Sequence, residues 1–542
     1  MQTLNAKRWL PPTAIKLFAG MLVCLAMSVS VLASGDGKAR QRANEALKQG
    51  DYESAEKQFR ELLTKDSHDK DARLGLSFAL MKQRMLQDAY DHAARVVLSD
   101  PLSSRAHALL GAVILASGDF QNSVEEFRTS LSIKEDEALA IAGLAMVDFY
   151  ENRLDASIKG LRRAVSLDTT EPDYLFSLGQ ATSRNERYKE AADAYEKFLI
   201  IAPKTDADRR ARIRGLIDFL RYLGKQSSLY VLAGSNKTVI PFESSDGRPI
   251  LKVKVNDSRE TLRFVLDTGS GMSVISEETA KKLGLHPVAR GGQARAVGGG
   301  GKFDIVYGFL DSLDVGDVTV KSVPVYIRHF YDEKTPVDGY LGLSVISKFI
   351  ASVDYGERLF MLRRPSENFV KDLWGIRISR DSSQPLAPGV FEIPLRTTSS
   401  GFLSGEVHLE GIQRPLNFIV DTGASVTVVS ERLAKEEDLS NYLEPTRMRI
   451  YGAAGIADDV KSLVLPKVML GGLTRERVNA AILDLEPVNE TAGFTQMGIL
   501  GSNYLRHFRV SFDFQRGLIR LEPLNKGAKS ADTVSPDQHL YQ

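Results

Sequence analysis

Residues 263–280 read RFVLDTGSGMSVISEETA, and residues 417–434 read NFIVDTGASVTVVSERLA. Each places an apolar run before Asp-Thr-Gly, then a small residue and a β-branched run. The two aspartates, Asp267 and Asp421, stand 154 residues apart. That is too far for a local repeat and suits two copies of a small domain. The match extends outward. TVIPFE and ILKVKV precede the first triplet, and VFEIPL and LSGEVHL precede the second. ARAVGGGG (294–301) faces MRIYGAAG (448–455), so Val297 and Gly298 stand opposite Tyr451 and Gly452. GYLGL (339–343) faces GILGS (498–502), and SVDYGERLFMLR (352–363) faces VSFDFQRGLIRL (510–521). These short β-rich runs predict two all-β, barrel-like lobes, at 236–365 and 390–523. A Ser- and Pro-rich connection containing Trp374 (366–389) would join them, and a tail (524–542) would follow.

Upstream the period changes. Tyr52, Leu86, Phe120, Leu154 and Tyr188 recur every 34 residues. Three positions after each comes a small residue (Ala55, Ala89, Ser123, Ser157, Ala191), and seven after come Phe59, Ala93, Phe127, Leu161 and Tyr195. A small residue at a fixed point lets two helices approach closely while the large ones fill the gaps. Five such copies over 36–203 resemble the tetratricopeptide repeat, an all-α solenoid, with Leu110-Gly111, Leu144-Ala145 and Leu178-Gly179 matching its first helix. The resemblance implies a concave face that can hold a peptide or partner protein. The basic stretch DADRRARIRGLIDFLRYL (205–222) is expected to cap the array with a solvated face, within a capping and linker segment at 204–235. The composition change at 224–236 suggests a separate core for each half.

Bulk properties narrow the function. A chain of 542 residues holds several domains. With 70 Lys+Arg against 69 Asp+Glu there is no basic excess to favour nucleic acid. Lys7, Arg8 and Lys16 precede an apolar run, Leu17–Ala33, that ends with small residues at Val31 and Ala33. This predicts a cleaved export signal (1–33) and a periplasmic or envelope location, with membrane attachment only if the segment stays uncleaved. Cys24, the only cysteine, lies inside it, so a mature chain has no thiol for a disulfide, nucleophile or metal site. H-E-x-x-H and G-x-S-x-G are both absent, and no metal or cofactor is expected.

The paired Asp-Thr-Gly triplets, the Gly-rich hairpins and the closing apolar-apolar-Gly stretches together resemble the aspartic proteases over 236–523. The small uninterrupted lobes are similar to the retropepsin type, and their tandem order to the pepsin arrangement. The resemblance implies a bilobal enzyme that hydrolyses protein or peptide substrates with Asp267 and Asp421. Two carboxyls within a few Å cannot both ionise easily; they share a proton, one acting as base on water and the other polarising the scissile carbonyl. Gly269 and Gly423 would let the loops turn tightly. Thr268 and Thr422 would bond across the lobes, as the family pattern implies. Ser270 could hydrogen-bond a carboxylate where Ala424 could not, so Asp267 is expected to ionise first. Val297, Gly298, Tyr451 and Gly452 would lie in flaps over the cleft. A second reading is a binding or adaptor protein of the envelope whose lobes hold peptides without cutting them. A third pairs each lobe with its copy in another chain.

Overall fold

The computed structural model describes residues 37–205, 207–299, 302–332, 335–365 and 388–524. The segment 1–33, most of the connection with Trp374, Gly300, Gly301 and the tail beyond Leu524 lie outside the described residues.

Helix α1 (37–49) opens an array of helix pairs. It continues through α2 (Tyr52–Lys65), α3 (Lys70–Lys82), α4 (Leu86–Ser99), α5 (Ser104–Ser117) and α6 (Phe120–Ile133). The remaining members are α7 (Ala138–Tyr150), α8 (Leu154–Leu167), α9 (Pro172–Arg184) and α10 (Tyr188–Ile201). Each 34-spaced anchor begins the second helix of its pair. The small residues three positions on are fully buried. Phe127 shows why neighbouring glycines are needed: a Cβ on Gly111 or Gly143 would come within 2.9 or 2.1 Å of its ring.

The turn inside each pair carries one left-handed residue: Gly50, Arg84, Gly118, Asn152 and Glu186, with φ between 59 and 95°. These turns form one edge of the solenoid, and four of them rest on the β half. Arg84 Nη1 donates to the Asn489 carbonyl at 2.9 Å. Asn417 Nδ2 donates to the Gly118 carbonyl at 3.2 Å, and Asn152 Nδ2 to that of Phe514 at 3.4 Å. Glu186 pairs with Lys348. The fifth turn, at Gly50, abuts Pro203 near the end of the array, so the solenoid curls back on itself.

Each half has a core of its own, but the two are also joined across the boundary. Phe494, from the second lobe, is fully buried in the repeat core with its ring 5.0 Å from those of Phe120 and Tyr150. Arg184 stacks on Phe149 at 3.8 Å and donates to Thr397 Oγ1 (2.6 Å) and the Thr398 carbonyl (2.5 Å). Helix α11 (Ala207–Leu223) caps the array and turns an exposed face outward at Ala207, Ala211, Arg214 and Asp218, but its other side also meets lobe 1. Gly215 lies against the backbone of lobe 1, where a Cβ would fall 2.0 Å from the Arg290 carbonyl oxygen. Phe219 stacks on Tyr307 at 4.1 Å. Burying these apolar faces outweighs the helix's basic composition.

Lobe 1 is a nine-stranded sheet of β1 (Val231–Gly234), β3 (Glu243–Ser245), β4 (Arg248–Val255), β5 (Leu262–Leu266), β6 (Val274–Ser276), β7 (Ala289–Arg295), β8 (Lys302–Val315), β9 (Val318–Arg328) and β10 (Gly339–Leu341). Lobe 2 is an eight-stranded sheet of β14 (Arg396–Thr397), β15 (Leu403–Leu409), β16 (Leu416–Val420), β17 (Thr427–Ser430), β18 (Leu443–Gly452), β19 (Gly455–Leu470), β20 (Leu473–Leu483) and β21 (Gly498–Leu500). The lobes are not self-contained, as the sequence had suggested. A six-stranded sheet joins them, built from β2 (Lys237–Pro241), β11 (Ile350–Asp354), β12 (Leu359–Arg363), β13 (Phe391–Pro394), β22 (Phe508–Asp513) and β23 (Leu518–Pro523). Strands β11 and β22, equivalent in the two copies, pair antiparallel with Ser352 opposite Ser511. Arg509 fastens this seam to buried Asp354 at 2.5 Å.

Candidate active site

Each Asp-Thr-Gly triplet follows a buried apolar strand, β5 or β16, whose partner is the strand of the closing apolar-Gly stretch, β10 or β21. The pairing fixes the aspartates: Asp267 N donates to the Leu341 carbonyl and Asp421 N to that of Leu500, both at 3.0 Å. The two loops then meet in one chain. Thr268 Oγ1 donates to the Val420 carbonyl (2.7 Å) and accepts from Thr422 N (3.0 Å). Thr422 Oγ1 donates to the Leu266 carbonyl (2.6 Å) and accepts from Thr268 N (3.2 Å). Both threonines are fully buried, so this reciprocal set of four bonds forms without competition from water.

The carboxyls of Asp267 and Asp421 share a hydrogen bond. Gly269 N donates to Asp267 Oδ1 at 2.9 Å and Gly423 N to Asp421 Oδ1 at 2.7 Å. Neither glycine can be replaced without displacing the pair: a Cβ on Gly269 would lie 2.4 Å from the Asp421 carboxyl carbon, and one on Gly423 2.8 Å from that of Asp267. Burial, then the charge of Asp421, hold the Asp267 carboxyl well above the usual carboxylate range. Burial also raises Asp421, but the amides of Gly423, Ala424 and Gly269 and the bond from Asp267 work against it. Both carboxyls are thus held above the usual range and the pair keeps a proton between them, while the bond expected from Ser270 is not made. The hydroxyl is directed elsewhere: Ser270 Oγ donates to the Met272 carbonyl at 2.7 Å. Ala424 contributes through its backbone amide, which needs no side chain.

The hairpins β7–β8 and β18–β19 reach one another across the cleft. A Cβ on Gly452 would sit 2.2 Å from the Val297 carbonyl oxygen, and one on Gly298 2.6 Å from the Gly452 Cα. Val297, Tyr451 and Gly452 line the same cavity as the two aspartates, about 1640 Å³ in volume. The lobe 1 hairpin is also gripped by α11, through Arg212 Nη1 to the Gln293 carbonyl (3.2 Å) and Lys302 to Asp208 (2.6 Å).

Sequence reasoning missed the far wall of this cavity, which the inner face of the repeats supplies through Tyr52, Lys82, Asp173 and Phe176. Lys82 and Asp173 form an ion pair between α3 and α9. Burial works to lower the Lys82 pKa, but Asp173 and Glu171 outweigh it and raise it. Arg328 and Leu483 were missed as well. Aligning the ends of the strands that run parallel to β6 and β17 would have set them side by side.

Family models match both halves of the chain. The aspartyl protease family model matches residues 251–345 and 405–504, and tetratricopeptide repeat models match 46–113 and 143–205. Among solved structures, the aspartic proteinase from Irpex lacteus aligns over 54% of this chain and 99% of its own, at 14% identity and a TM-score of 0.35. A thermophilic tetratricopeptide protein from Thermus thermophilus aligns over 34% of this chain and 98% of its own, at 20% identity and a TM-score of 0.30. A curated relative, the formate-dependent nitrite reductase complex subunit NrfG of Escherichia coli O157:H7, is 26% identical over 106 residues, 19% of this chain. The chain spans about half the length of that relative (54%). The protein is thus a fusion of tetratricopeptide repeats with two aspartyl-protease lobes.

Proposed function

We propose that the chain is an exported aspartic endopeptidase whose dyad is completed within one chain, and whose repeats admit a protein substrate or partner to the cleft. The observation that carries this reading is the hydrogen-bonded Asp267–Asp421 pair, held by the reciprocal threonine bonds. Asp421, with three backbone amides and the Asp267 hydroxyl turned toward it, acts as the base that takes a proton from water. Asp267, kept protonated by burial and by its partner's charge, donates to the carbonyl oxygen of the scissile bond. Water attack gives a tetrahedral intermediate, and proton return to the nitrogen releases the amine. The flap tips would part to admit substrate and close to exclude bulk water. Export rests on the Lys7–Ala33 pattern.

Incubating the full mature chain with an unfolded protein, with and without a statine-type transition-state analogue, tests the reading. Endoproteolytic fragments that disappear with the analogue are expected. Tight binding of the analogue with no cleavage between pH 3 and 8 would instead make the chain a peptide-binding adaptor.

A further inference from the structure

Arg328 ends β9, pairing in register with Ser276, and Leu483 ends β20, pairing with Ser430. Both serines cap the short helix that follows, accepting from Thr279 N and Leu433 N. The two positions are therefore equivalents in the duplicated lobes, and both side chains line the cavity that holds the dyad. A two-fold relation between lobes puts equivalent positions on opposite sides of a substrate bond lying between the aspartates. One side presents a guanidinium and the other an isobutyl group.

Among the described residues the guanidinium has no anionic partner. Its Nη2 donates to the Ala453 carbonyl in the lobe 2 flap tip, and its plane lies 3.8 Å from the centre of the Phe303 ring in the lobe 1 flap. Its Nε is buried without a hydrogen-bond partner among the described residues. Arg248, which lines the same cavity, contrasts with it by pairing with Asp332 at 3.2 Å. Its charge also reaches Asp267, where it opposes the upward shift of that carboxyl. An arginine held by a carbonyl and a ring in a cleft wall is an incomplete site, and a carboxylate completes it best because the guanidinium fork matches it in shape and charge.

Resting on the peptidase reading, we propose that Arg328 is a specificity-determining residue: it receives an Asp or Glu side chain on one side of the scissile bond, while Leu483 makes the other side apolar. Opening of the lobe 2 flap breaks the bond to Ala453 and presents the fork to the substrate, so selection and flap movement are coupled.

The test uses full-length protein and peptides with Leu on one side of the scissile bond and Glu, Gln or Lys on the other, in both orders. Wild type should favour Glu over Gln by about tenfold or more in kcat/KM, in one order only. Arg328→Gln should bring that ratio to about one, Arg328→Lys should restore part of it, and Leu483→Arg should create a Glu preference in the opposite order. A wild-type ratio near one, or an Arg328→Gln ratio equal to that of wild type, overturns the proposal. If wild type cuts no peptide, the peptidase reading has failed, and fluorescence anisotropy with the same peptides decides the subsite. Glu-peptide affinity at least about tenfold above Gln, lost in Arg328→Gln, upholds it; equal affinities overturn it.

Discussion

Lobe 1 and lobe 2 present the same loop on the same pair of strands, yet hold it in different surroundings. Lobe 1 is clasped by the repeats through α11, which packs on β7 and pins the hairpin at Lys302. Lobe 2 meets the repeats through its core, by Phe494 and by the segment that Arg184 binds. Arg328 in the first becomes Leu483 in the second, and Val297 becomes Tyr451. Duplication supplied a symmetric frame, the four threonine bonds and two glycine amides. The asymmetry of the pair comes from what is not duplicated. Amides from both loops converge on Asp421, while Asp267 faces its partner's charge.

The largest effect is expected where the lobes are alike. Thr268→Ala or Thr422→Ala removes two buried bonds and leaves a carbonyl and an amide of the other loop unpaired. Each should cost about 2–3 kcal/mol by denaturant unfolding, equally in the two lobes, with Thr→Ser costing under about 1. A clear difference between the two alanine variants would show that the loops are not equivalent supports.

A smaller effect should separate the lobes through pH. A carboxyl whose folded pKa is raised contributes stability that is fully present below its unfolded value, about 3.9, and is lost as pH rises through the folded one. The dyad therefore favours the folded state more at pH 4 than at pH 7, and Asp267 does so most. Thermal melts at pH 7 should show Asp267→Asn more stable than wild type by about 2 °C or more, with a lesser gain for Asp421→Asn, and both gains should shrink at pH 4. Equal melting temperatures at both pH values would remove the raised pair. The rate should be bell-shaped in pH, with its alkaline limb above the ordinary carboxylate range. Ser270→Ala should leave both limbs in place, because that hydroxyl is occupied by Met272.

The sequence made the repeated elements legible because repetition is itself the signal. The 34-residue anchors do begin the second helices, and the paired triplets, hairpins and closing glycines occupy equivalent places in the two lobes. What it hid lies between units. Phe494 resembles any core residue of its own lobe until the fold buries it among Phe120 and Tyr150. Gly215 looks like a weak point in a basic helix until the lobe 1 backbone lies against it. Ser270 sits beside the first Asp-Thr-Gly motif, but its hydroxyl has a nearer acceptor two residues on. Each depends on which surfaces meet, and a local pattern does not encode that.

Everything in the mechanism depends on two aspartates brought together within one chain. Peptide hydrolysis by wild type, by Asp267→Asn, by Asp421→Asn and by an equimolar mixture of the two variants tests this most directly. Wild type should turn over, and each variant should fall by about 10³-fold or more. The mixture should stay as silent as its components, because no chain in it holds both carboxyls. Activity recovered on mixing, toward the quarter that random pairing would give, would mean that the dyad forms between chains.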